Sequence, residues 1–215
     1  MSATTSIQTG LHSLWRSTIC SEPRLLDPEQ LAQLLAATAS FETGTIRFNQ
    51  NKSAADKVLP AAAASADFSH TKPVILCIGT DRIVGDSLGP LTGSLLKKSA
   101  GDSLAIYGTL ETPVHACNLA ETLAQIKKKH PDSAIIAVDA SLGCQYKVGS
   151  VLIRSGSIRP GMGVKKELPA VGDISITGIA GAQSSRPYLV LQSVRLSLIM
   201  SMAEHICKCI LDVCG

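Results

Sequence analysis

Two aspartates, Asp86 and Asp139, each follow a strongly apolar run, and carboxylates brought together can share a proton, activate water or hold a cation. The run before the first is Val74-Ile75-Leu76-Cys77-Ile78-Gly79, which leads through Thr80-Asp81-Arg82-Ile83-Val84-Gly85 to Asp86. Ala134-Ile135-Ile136-Ala137-Val138 ends directly in Asp139. Such runs suit buried parallel strands, and open α/β sheets collect ligands at the carboxyl ends of their strands. The expected chemistry is therefore carboxylate-based, with both groups at one sheet edge, within roughly 10 Å of each other. Asp81, in the same loop, braces it or joins the site. Glu111 and His115 lie past a third strand ending near Gly108 and are candidates for the same edge. The loop from Arg154 to Lys166, with Gly161 and Gly163, could bind an anion or a peptide carboxylate through backbone amides; it could equally be an exposed glycine-rich turn.

The elements that must position these residues alternate along the chain. Strands are expected over 74–79, 104–108, 134–139, 151–153 and 173–179. Helices are expected from about Pro90 to Lys98, from an Asn118/Glu121 capping box to Lys129, and from about Val190 to Leu211. This βαβ order implies an α/β three-layer sandwich over residues 71–215. Residues 1–70 read as an N-terminal arm. One helix there opens at Asp27-Pro28-Glu29-Gln30 and carries a stripe of Leu31, Leu34 and Leu35. A polar, alanine-rich flexible connector follows, from Asn49 to His70.

Composition narrows the function classes. The chain of 215 residues is 45% hydrophobic but only 3% aromatic, so its core is Ala, Val, Ile and Leu. A formal charge of +3 gives no basic stripe with interleaved aromatics, which argues against nucleic acid. Lys127-Lys128-Lys129 is better placed as a solvated helix end. The seven cysteines are scattered and include no C-x-x-C or paired Cys/His spacing, so buried free thiols in a reducing cytoplasm are expected, and no metal or other cofactor. No stretch approaches the ~20 apolar residues of a membrane span.

Gly85-Asp86-Ser87-Leu88-Gly89 matches the G-x-S-x-G pattern of a nucleophile elbow, yet Ser87 comes well after the strand has ended, where an elbow serine would not be. No phosphate-loop pattern is present.

Six blocks in order carry a family resemblance: 77–82, 85–90, 107–116, 138–140, 160–164 and 166–178. Together they resemble the YyaC family, spore-protease-like sporulation proteins of endospore-forming bacteria, over about Val74 to Leu211. That family is similar to the spore germination protease and, more distantly, to the hydrogenase maturation proteases. The resemblance implies a three-layer α/β/α sandwich of the phosphorylase/hydrolase type with a mostly parallel sheet. It also implies an aspartic-type peptidase whose catalytic residues fall at Asp86 and Asp139, acting on a protein or peptide. The maturation proteases bind nickel with a third, histidine ligand downstream of the second aspartate. This chain has no histidine between Asp139 and its C-terminal helix, so a nickel-dependent role is not expected. The competing expectation is a non-enzymatic sporulation factor that binds a peptide or partner at the same edge.

Overall fold

A computed structural model describes residues 43–46, 72–160 and 168–214. Six strands form one sheet: β1 (Thr43–Ile46), β2 (Val74–Cys77), β3 (Ala105–Tyr107), β4 (Ile135–Gly143), β5 (Val151–Ser155) and β6 (Ile174–Ala182). Their spatial order is β1-β5-β6-β4-β2-β3. The β3–β2, β2–β4 and β4–β6 pairs are parallel, while β5 runs antiparallel to both β6 and β1. The described helices are α1 (Leu88–Ala100), α2 (Leu119–Lys129), α3 (Pro187–Ser193) and α4 (Leu196–Cys214).

Alternation along the central strands builds the three layers. Ile75 and Cys77 of β2, with Ile136 and Val138 of β4, pack with Leu88 and Leu96 of α1 and Ile199, Met202 and Ile206 of α4. Val74 and Leu76, with Ala137, face the other way and pack with Leu119 and Ile126 of α2. Successive side chains point to opposite faces of a strand, so near-continuous apolar runs are what a sheet covered on both sides requires. Burying each of these aliphatic side chains contributes about 1.5–3 kcal/mol. Helix α1 lies unusually close to the strands. A Cβ on Gly89 would run into the Ile78 carbonyl, and one on Gly93 into that of Gly108.

The mostly parallel α/β architecture is the expected one, with four differences. Thr43–Ile46, inside the expected arm, is a strand that extends the sheet beyond β5. The β4 ladder continues past Asp139, because Asp139 to Gly143 keep pairing with Thr177 to Ala182, so Asp139 lies inside a strand rather than at its end. Asn118 precedes α2 without capping it through its side chain. That carboxamide is occupied upstream, where Oδ1 accepts the His115 N–H and Nδ2 donates to the Pro113 carbonyl. The closing helix is two helices, separated where Val194 turns extended (φ −66°, ψ 142°). The expected Asp27 helix and the whole connector from Asn49 to His70 lie outside the described residues.

Candidate active site

Asp86 is held by a turn that begins where β2 leaves the sheet. Gly79 has φ +141°, a conformation that side-chain-bearing residues rarely adopt, and a Cβ there would strike the Asp86 carbonyl oxygen. The chain then folds back through a short 3-10 turn, Val84–Asp86, immediately ahead of α1. The Thr80 N–H donates both to Asp86 Oδ2 at 3.1 Å and to the Asp86 carbonyl at 3.2 Å. Helix α3 closes over this turn, with Leu191 against Gly85.

Asp139 is carried by β4, flanked by Cys77↔Val138 pairing on one side and its own pairing to Thr177 on the other. It is 9% exposed, and its Oδ1 accepts the Ala140 N–H at 2.9 Å.

The electrostatics couple the two. Burial raises the Asp86 carboxyl to about 6, against the opposing effect of the Thr80 N–H bond. Asp139 is pushed well above the usual carboxylate range, first by burial and then by the negative charge of Asp86, with the Ala140 N–H pulling the other way. Two close carboxylates in a poorly solvated place cannot both ionise cheaply. The pair is thus set up to keep one proton near neutral pH, the arrangement needed for one base and one acid. Among the described residues no third His, Cys, Asp or Glu joins them in a set that could hold a metal ion.

The other expected residues are distributed differently. Asp81 is exposed on the loop between Gly79 and the 3-10 turn. Glu111 is exposed, and its Oε2 accepts the Ser94 hydroxyl at 3.4 Å. His115 Nδ1 accepts the Cys117 N–H at 3.3 Å. Among the described residues, no hydrogen bond links Glu111 or His115 to either aspartate. Gly161 and Gly163 lie outside the described residues. Ser87 is buried, with its hydroxyl donating to the Val84 carbonyl at 2.7 Å, so it is engaged in the turn and not presented as a nucleophile. Sequence reasoning missed the backbone amides of Thr80 and Ala140, which carry no side-chain signature. It also missed a cavity of about 720 Å³ under the α3–α4 corner, lined by Ala180, Gly181, Val190, Val194, Leu198 and Arg195.

Comparison with known proteins adds a family. A family model described as "Protein of unknown function (DUF1256)" matches residues 47–209. The "Uncharacterized protein YyaC" of Bacillus subtilis (strain 168) is 45% identical over 152 residues, spanning 70% of this chain and 74% of that protein. Among solved structures, the NiFe hydrogenase maturation protease HycI from Thermococcus kodakarensis KOD1 aligns over 70% of this chain and 97% of that chain. Its TM-score is 0.47 and its identity 19%.

Proposed function

The chain belongs to the family described as a protein of unknown function (DUF1256), and within that frame we propose that it is an aspartic-type peptidase working through Asp86 and Asp139. The observation that carries this reading is the electrostatic coupling of the half-buried Asp86 and the buried Asp139 at the carboxyl-end side of a parallel sheet. Asp86, with the lower proton affinity and the more exposed position, acts as base, and Asp139 holds the shared proton. Asp86 removes a proton from water as the water oxygen attacks the peptide carbonyl carbon. Asp139 gives its proton to the carbonyl oxygen, forming a neutral gem-diol. Asp86 then passes its proton to the departing amine as the C–N bond breaks, and Asp139 recovers a proton from the diol hydroxyl. The cycle closes with both carboxyls in their starting states. General acid–base help of this kind is worth about 10²–10⁴-fold in rate.

A sporulation setting is supported by the six-block resemblance. A cytoplasmic location is supported by Cys77, Cys207 and Cys214, buried thiols outside any disulfide, since a reducing compartment keeps thiols reduced. No helix among the described residues is long and apolar enough to cross a membrane.

The test is incubation of the purified protein with a spore-protein extract, read by mass spectrometry. New termini that appear with the wild type and not with Asp139→Asn support the peptidase. Stable capture of an intact protein without new termini supports instead the non-enzymatic factor.

A further inference from the structure

The β2–β4 ladder stops at Cys77↔Val138, with one further bond from the Ile78 N–H to the Val138 carbonyl. Strand β4 nevertheless runs on to Gly143, and over Asp139 to Gly143 the described residues pair with it only from the β6 side. Among the described residues this lane is left open because at Gly79 the chain turns out of the sheet and folds back toward Asp86. The stretch along this lane, Ala140-Ser141-Leu142-Gly143, is half-buried and made mostly of small residues. It has neither the lysine nor the proline with which proteins commonly guard an open edge. Its first residue directly follows Asp139.

We propose that the backbone of an extended peptide adds as a strand in this lane, beside Ala140–Gly143. An open edge offers rows of backbone donors and acceptors, and the partner that matches them in spacing is another extended backbone. Directly paired residues on neighbouring strands lie about 4.5–5.5 Å apart, so a peptide seated here carries one of its carbonyls to the carboxylate pair. Recognition would come mainly from main-chain hydrogen bonds and so tolerate varied side chains. A peptide carbonyl taking the Ala140 N–H would also release Asp139 Oδ1, which now accepts it. The proposal deepens the peptidase reading and rests on it for the identity of the occupant.

The test uses the full chain and a fluorescein-labelled octapeptide of sequence KVTAISLQ, with a series in which one amide at a time is N-methylated. Binding is read by anisotropy, cleavage by mass spectrometry, and backbone amide exchange in the protein in parallel. The expected result is an affinity loss of about tenfold at alternate positions only, with slowed exchange over 140–143 on binding. The proposal is overturned by absent binding, by losses without a period of two, or by protection elsewhere. Alternating losses without cleavage would retain the edge and remove the peptidase; cleavage without alternation would do the reverse.

Discussion

Asp86 stands near enough to Asp139 for its charge to raise the proton affinity of the second carboxyl, and burial raises both. That relationship, more than either residue alone, makes this corner of the sheet a candidate for acid–base work.

Replacing either carboxyl by an amide keeps the volume and removes the titrating proton. Asp86→Asn and Asp139→Asn are each expected to lower peptide hydrolysis by about 10²–10⁴-fold with the fold retained. Ser87→Ala loses one turn hydrogen bond, about 0.5–1.5 kcal/mol of stability, and keeps its activity. Circular dichroism and a common peptide assay on the three proteins check this. Full activity in both Asn variants would make the pair structural.

The rate should rise with pH through about 6, as Asp86 becomes the ionised base. It should fall again at higher pH, where Asp139 finally gives up its proton. A bell-shaped profile of kcat/KM is the expected shape, its two limbs being properties of the coupled pair. A rate that keeps climbing into alkaline pH would contradict it.

The same shift has a sign in stability. A carboxyl whose folded value is raised from 3.8 to about 6 stabilises the folded state below 3.8, and that contribution is lost as pH rises through about 6. Between pH 4 and pH 7.5 Asp86 alone removes about 2 kcal/mol. Asp86→Asn cannot ionise, so it should be more stable than the wild type at pH 7.5 and show little difference at pH 4. Urea melts at the two pH values measure it, and an Asn variant less stable at pH 7.5 refutes the assignment.

Gly79→Ala is expected to destabilise the protein by about 2 kcal/mol or more, since a methyl there meets both an unfavourable φ and the Asp86 carbonyl. Thermal melts report the cost. Gly101→Ala is the control, because it also has positive φ but open space around it. If the two cost the same, the Asp86 contact contributes nothing.

The layers and both aspartates were legible because they rest on side-chain pattern. Val74 to Cys77 and Ile135 to Val138 announce buried strands, and each leads toward a carboxylate. What escaped was set by partners distant in sequence. Asp139 looks like a strand end until Thr177 to Ala182 come alongside and prolong β4. The 190–211 pattern looks like one helix, because the turn at Val194 is a matter of packing over Gly181 and the Gly85 loop, not of a breaking residue. Glu111 and His115 follow the right strand, but their bonds go to Ser94 and Cys117.

The close docking of α1 through Gly89 and Gly93 separates two kinds of selection. These positions answer to shape, since any side chain would force helix and strands apart whether or not the protein performs chemistry. Under the proposed peptidase reading the aspartates answer to catalysis, and burial makes them a burden on the fold at neutral pH. A duplicated descendant freed from hydrolysis would therefore keep both glycines and shed the carboxyls, gaining stability as it did so. Across the lineage, the glycines would trace ancestry and the aspartates would mark which branches still work.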